Sequence, residues 1–334
     1  MTVLLLLLAF AVILAGCELF VNGIEWFGRK RGLGEGAVGS VLAAVGTALP
    51  ETVIPLIAIL ILGGDSGHAI GIGAILGAPF MLSTLAIFVC GISIVIFTWT
   101  KRRKLKLRFN QTIMRRDLSF FLIAYSVAVL VGLVDIGAFR YAVAVGLIVG
   151  YGVYVRQTLK SEGDLQGECT ALYFHRTTAS PPLKFVLLQI VVALAAIIFG
   201  ADLLVSELTK AAEALKVPAL VISLLLTPIA TELPEKFNSV MWMRRKKDTL
   251  ALGNITGAMV FQSTFPVAIG LGFTRWRLWE GGDWHGLAAA GVALLSGTLL
   301  YGRLRLTKGL GVGSLLFGGV LYLAFLGVTL WSIL

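Results

Sequence analysis

Apolar residues run through this chain in long blocks, without the strict alternation of a strand or the narrow stripe of a soluble helix. Ten blocks predict ten membrane-crossing helices, at 2–24, 37–61, 68–99, 118–136, 139–155, 184–207, 217–243, 249–273, 285–301 and 311–333, because about 20 apolar residues span the hydrocarbon of a bilayer. Polar residues gather in the connections, and cations favour every second one. Arg29, Lys30 and Arg31 lie in the first connection, and eight cations from Lys101 to Arg116 in the third. Arg156, Lys160, Arg176 and Lys184 lie in or beside the fifth, Arg244 to Lys247 in the seventh, and Arg303, Arg305 and Lys308 in the ninth. Together these hold 22 of the 28 Lys and Arg. Short cationic loops stay on the cytoplasmic side. The pattern therefore predicts a multi-pass protein of the cell (inner) membrane with both termini outside.

Composition agrees and narrows the class. Hydrophobic residues make up 57% of the chain, charged ones 14%, and the mean hydropathy is +0.91, which excludes a soluble domain. The net charge of +10 is accounted for by topology, with contact to anionic lipid as a second use; nucleic acid is not implied. Cys17, Cys90 and Cys169 are scattered and give neither a disulfide framework nor a metal cluster. The run Leu14-Ala15-Gly16-Cys17 has the pattern of a lipoprotein cleavage site, but no Lys or Arg precedes the apolar run, so cleavage is not expected.

The chain repeats itself. Shifted by 184 positions, residues 16–51 overlay 200–235 without a gap: Gly16 on Gly200, Glu18 on Asp202, Asn22 on Ser206, and Thr47, Leu49, Pro50 and Glu51 on Thr231, Leu233, Pro234 and Glu235. After a loop four residues shorter, 71–78 meets 251–258, and Ser83 meets Ser263. Five spans separate the two motifs, so the halves run in opposite directions through the membrane, as inverted repeats do. The expected organisation is a first membrane repeat over 1–156, a polar, mobile cytoplasmic linker over 157–183, and a second, inverted repeat over 184–334. The fold class is an all-α membrane protein: ten transmembrane helices as two inverted five-helix repeats with broken helices 2 and 7.

The chemistry sits in the second and seventh spans. An ionised carboxylate at membrane depth is expensive, so Glu51 and Glu235 call for a cation or a proton. Pro50, Pro55, Pro228 and Pro234 each remove a helical N–H and free a carbonyl, which is tolerated at that depth only where it lines a cavity or meets an ion. Thr47 and Glu51, like Thr231 and Glu235, are four apart and share a helix face. An all-oxygen site for a hard cation follows. No thiol or imidazole is expected nearby, and Lys236 is expected to point about 100° away from Glu235 around the helix. Asn254 and Gln262 are the polar positions of the glycine-rich eighth span. Glu18, Asn22, Asp202 and Ser206 share a face of the first and sixth spans, where they line a pathway or mark the interface.

The duplicated Thr-x-Leu-Pro-Glu motif in two inverted halves resembles the sodium/calcium exchangers of the Ca²⁺/cation antiporter superfamily. The resemblance covers essentially the whole chain. It implies that Glu51 and Glu235 are central Ca²⁺ ligands, that Thr47 and Thr231 coordinate flanking Na⁺ or Ca²⁺, that carbonyls near Ala44 and Pro228 help, and that Asn254 matches the family asparagine. This sequence departs from the family pattern at Ala48, Ala74, Ala78, Pro79 and Leu82, and at Glu232, Ala258, Met259 and Gln262. Many side-chain oxygens are thus missing, mostly in the first half, while Glu232 adds a third carboxylate. Closely spaced carboxylates titrate together, which opens a proton-coupled cycle or a changed ion stoichiometry. The resemblance implies a secondary-active antiporter exchanging Ca²⁺ for Na⁺ or H⁺ by alternating access, with these ions as substrates, the bilayer as partner, no resident cofactor and no enzymatic chemistry. Another divalent cation such as Mn²⁺ or Mg²⁺, H⁺ as the only coupling ion, and a non-transporting scaffold or sensor are the alternatives.

Overall fold

The computed structural model describes residues 2–134, 136–160, 169–176, 178, 180–214, 232–278, 284–307 and 309–333. Thr231 and Pro228, most of the predicted seventh span and residues 161–168 of the linker lie outside them.

The described residues are built from helices. The first apolar block folds as α1 (Thr2–Lys30), ending on Arg29 and Lys30, where cations suit the negative end of the helix dipole. The second block is broken. It winds at π pitch over Ala37–Ala43, continues as α2 (Ala44–Thr47), stops at Ala48, and resumes as α3 (Leu49–Ile57) and a second π stretch, Ala58–Leu62. The third is one long helix: α4 (Gly64–Met81), a π stretch at Leu82–Ala86 and α5 (Ile87–Trp99). Then follow α6 (Gln111–Leu133), α7 (Phe139–Lys160) and α8 (Leu183–Ala214). The second half continues as α9 (Leu233–Arg244), α10 (Asp248–Gln262), α11 (Phe265–Phe273), α12 (His285–Thr307) and α13 (Val312–Ile333).

Eight helical segments among the described residues are long and apolar enough to cross a membrane, against ten predicted spans. The two missing from that set are the second and the seventh. The second is cut at Ala48, and the seventh is described only from Glu232 onward. The fourth helix starts at Gln111 rather than 118, because the Asn110 side chain caps it, accepting from the Thr112 and Ile113 amides at 2.9 and 3.3 Å.

Packing follows the glycines. α1 and α8 form the most extensive helix pair, and they meet reciprocally: Gly16 faces Ile197 while Gly200 faces Ile13, each contact mapping onto the other under the 184-residue shift. α10 is the most enclosed of the helices. It crosses the π stretch of the second span so closely that a Cβ on Gly257 would stand 2.0 Å from the Ser40 carbonyl oxygen. Glycine there lets the two motif-bearing halves touch backbone to backbone.

The described part of the linker is docked, not loose, which corrects the expected mobile segment over 169–176. The Thr170 carbonyl accepts from Trp26 Nε1 at 2.8 Å and Asn22 Nδ2 at 3.2 Å. Leu172 packs with Trp26 and Val186, and Gln189 Oε1 accepts from the Phe174 amide at 3.0 Å. Asn22 is thereby a fastening of the linker. Glu18 pairs with Arg245 and accepts from the Tyr173 hydroxyl at 2.9 Å, whereas Asp202 and Ser206, the counterparts of Glu18 and Asn22, are exposed.

Candidate cation site

The two Leu-Pro-Glu motifs fold alike. Ala48 sits at φ −80°, ψ 1°, between α2 and α3; Glu232, its partner under the repeat, sits at φ −91°, ψ 5°, just before α9. Pro50 and Pro234 are each the second residue of the helix that follows, where a missing N–H leaves no bond unmade. The prolines therefore start new helices rather than kink old ones. Pro55 lies inside α3, as the freed Glu51 carbonyl requires. Each glutamate falls in the first turn of its helix, where the positive end of the dipole favours a negative charge.

Glu51, Glu232 and Glu235 are all buried, as are Thr47, Asn238, Asn254 and Gln262. Gln262 Nε2 reaches Glu51 Oε1 at 3.2 Å, Thr52 Oγ1 at 3.2 Å and the Ala48 carbonyl at 3.5 Å. Asn254 joins the halves. Its Nδ2 donates to the Glu235 carbonyl and to Ser239 Oγ, both at 3.2 Å, and its Oδ1 faces the Thr47 hydroxyl at 3.4 Å. That hydroxyl also reaches the Ala43 carbonyl at 3.0 Å. Ala44 stands beside Thr47, but its carbonyl already accepts the Ala48 amide at 3.0 Å. The Thr47 hydroxyl also lies 3.5 Å from that carbonyl, whose second lone pair can still face a ligand.

What remains unsatisfied is concentrated here. Glu51 Oε2, both carboxylate oxygens of Glu235, and both side-chain polar atoms of Asn238 have no hydrogen-bond partner among the described residues. Orphan carboxylate oxygens in an interior cost several kcal/mol unless a cation meets them. Asn238 lies three residues past Glu235 on the same helical face, a spacing from which the sequence could have flagged it. Among the described residues, no three His, Cys, Asp or Glu side chains converge as a resident metal centre would require. The donor set is carboxylate, amide and hydroxyl oxygen, which suits a hard cation.

Two expectations are corrected. A thiol is present after all: α1 crosses α9 so that Cys17 Sγ donates to the Pro234 carbonyl at 3.9 Å, and Cys17 is fully buried. Glu232, the extra carboxylate, is not a free ligand in this structure. Its Oε2 takes the Lys236 ammonium at 2.8 Å, and both side chains are buried. Lys236 does point away from Glu235, but it does so onto Glu232, one turn back.

A buried carboxylate outside this cluster was missed by the sequence. Asp117 accepts from Ser40 Oγ at 2.6 Å, Thr256 Oγ1 at 2.8 Å, Tyr154 OH at 3.1 Å and Arg116 Nη2 at 3.1 Å. It ties α6, α7 and α10 to the second span, and its oxygens, unlike those of Glu235, are satisfied.

The two halves each match the family model described as sodium/calcium exchanger protein, over residues 1–159 and 185–334. An uncharacterized membrane protein of Methanocaldococcus jannaschii, MJ0091, is 25% identical over 271 residues, covering 79% of each chain. Among solved structures, the sodium-calcium exchanger NCX_Mj soaked with 2.5 mM Na⁺ and 0.1 mM Ca²⁺ superposes with a TM-score of 0.76 at 22% identity, over 98% of this chain and 97% of that one. The same exchanger soaked with 10 mM Na⁺ and 10 mM Sr²⁺ gives a TM-score of 0.75 at 23% identity, again over 98% and 97%. With both repeats matched and the whole chain superposed, this multi-pass membrane protein belongs to the sodium/calcium exchanger family.

Proposed function

We propose that the chain is a secondary-active cation antiporter that binds Ca²⁺ between Glu51 and Glu235 and exchanges it for Na⁺ or H⁺. The observation that carries this is the set of buried carboxylate oxygens that have no partner among the described residues, in the first turns of two matching helices. Thr47, Asn238, Asn254 and Gln262 line the same place, Thr231 and Pro228 supply the second half's hydroxyl and carbonyl, and no resident cofactor takes part. The architecture is two inverted repeats, 1–156 and 184–334, of five membrane crossings each. Both termini lie outside and the linker 157–183 on the cytoplasmic side.

The exchange is obligatory for an electrostatic reason. A carboxylate pair cannot cross a low-dielectric interior uncompensated, since each unpaired charge costs several kcal/mol. The site reorients only when filled by one cation set or the other. α1 and α8, packed on each other through Gly16 and Gly200, move as a pair against the core that holds α9 and α10 and so change which side reaches the site. The match of both halves to the sodium/calcium exchanger family model supports Ca²⁺ as the divalent.

Uptake of ⁴⁵Ca²⁺ into proteoliposomes under an imposed Na⁺ or pH gradient tests this. Gradient-driven uptake that unlabelled Ca²⁺ suppresses more effectively than Mg²⁺ supports it. Binding without flux under either gradient would favour a non-transporting scaffold or sensor.

A further inference from the structure

The repeat makes one departure visible that is neither a lost oxygen nor a simple substitution. Under the 184-residue shift, Ala48 and Thr52 of the first half correspond to Glu232 and Lys236 of the second. In the first half the Thr52 hydroxyl donates to the Ala48 carbonyl at 2.6 Å. In the second half the Lys236 ammonium keeps that bond to the matching Glu232 carbonyl at 3.5 Å, and adds the Glu232 carboxylate at 2.8 Å. A neutral contact has been replaced by an ion pair on the same two positions. The pair is buried, with side-chain exposures of 7% and 2%, and lies within one helical turn of Glu235.

A buried ion pair placed for stability alone has little to recommend it. Apolar residues of similar volume do as well or better. Here the pair changes the electrostatics of the cation site instead. Glu232 and Lys236 flank Glu235 at the start of α9, and Asn254 and Gln262 of α10 join that turn to Thr47 and Glu51. Three carboxylates against one ammonium leave two negative charges, which one divalent cation or two monovalent ones neutralise. Without the lysine, three negative charges would remain and a further mobile cation would be needed.

We propose that Lys236 is a tethered cation of the site: held by Glu232, it fills one charge position permanently, so that the protein exchanges one divalent ion for two monovalent positive charges and moves no net charge per cycle. This rests on the antiporter reading above. It makes Lys236 a specificity-determining residue for stoichiometry, and it explains how Glu232 can be gained while side-chain oxygens for extra Na⁺ are lost.

The test is charge counting in proteoliposomes of the full chain. ⁴⁵Ca²⁺ is equilibrated by the working Na⁺ or pH gradient while a tenfold K⁺ gradient with valinomycin sets the potential. A carrier that moves no net charge holds the same Ca²⁺ ratio with and without the potential, whereas one net charge per cycle shifts that ratio about tenfold. The wild type is expected to show no shift, Lys236→Gln about a tenfold shift, and Glu232→Gln/Lys236→Gln no shift again. Should Lys236→Gln fail to fold, Glu232→Gln carries the test, with a shift of similar size in the opposite direction. A potential-dependent wild type, or variants with the wild-type charge count, overturns the tethered-cation assignment while leaving the antiporter standing. Absence of gradient-driven flux in the wild type overturns the antiporter itself, and this assignment falls with it.

Discussion

Glu235→Gln should separate the two roles of the site carboxylate, ion holder and internal liability. The side chain is fully buried and both of its oxygens lack partners among the described residues. A unit charge pair about 4 Å apart is worth about 4 kcal/mol at an effective dielectric of about 20, and part of that is offset by stripping water from the ion. A net loss of about 3 kcal/mol follows, or roughly 10²-fold in Ca²⁺ affinity. The ion-free protein responds in the opposite sense. The amide fills the same volume without leaving an unpaired charge in the interior, so ion-free Glu235→Gln is expected to be at least as stable as the wild type. Thermal unfolding in detergent at pH 8, titrated with Ca²⁺, reads both quantities from one series. The wild type should start lower and rise with Ca²⁺, while the variant should start level or higher and stay flat. A variant whose melting temperature still climbs with Ca²⁺ at wild-type concentrations would refute the assignment of Glu235 as a ligand.

Three further outcomes follow from packing and polar satisfaction. Gly257→Ala places a methyl against the Ser40 carbonyl and should cost at least about 1–3 kcal/mol by overpacking, seen as a lower melting temperature; Gly302→Ala, which meets nothing within 4 Å, is the control and should be neutral. Asp117→Ala strands the Ser40 hydroxyl, at about 1–3 kcal/mol for a buried group left unpaired, and leaves Thr256 and Tyr154 only the Leu252 and Ser40 carbonyls at 3.0 and 3.2 Å; Asp117→Asn should lose distinctly less because its carbonyl oxygen still accepts. Glu25 is buried and holds Trp242 Nε1 at 2.9 Å and Lys247 Nζ at 2.5 Å. Glu25→Ala should therefore destabilise the protein by about 3–5 kcal/mol, the range for breaking one partner out of a buried pair, and loosen α1 from the end of α9 in hydrogen exchange.

Much of the site was legible because its signals are local or repeat. Apolar blocks report membrane crossing directly. The 184-residue shift aligned Thr47, Leu49, Pro50 and Glu51 with their counterparts, and the structure gives Ala48 and Glu232 matching dihedral angles just ahead of the helices that carry Glu51 and Glu235. Asn254 and Gln262, picked out as polar residues on an apolar span, are the side chains that meet Thr47 and Glu51. What escaped depends on tertiary contact. Cys17 reaches Pro234 only because α1 crosses α9. Asp117 sits one residue before the predicted fourth span, and nothing in its neighbours announces the hydroxyls of Ser40, Tyr154 and Thr256 that converge on it. The linker looks mobile by composition, yet Asn22 and Trp26 hold its backbone. Lys236 was weighed against its neighbour Glu235 alone; the i, i+4 spacing to Glu232 was there in the sequence and gives the pair.

The central claim is that one cation site lies between Glu51 and Glu235. Anomalous diffraction from crystals soaked in Sr²⁺ or Ca²⁺ tests it most directly. The account predicts a peak within about 2.3–2.6 Å of carboxylate oxygens from both glutamates, with Lys236 still on Glu232. A peak elsewhere, or none at concentrations that support flux, would contradict it.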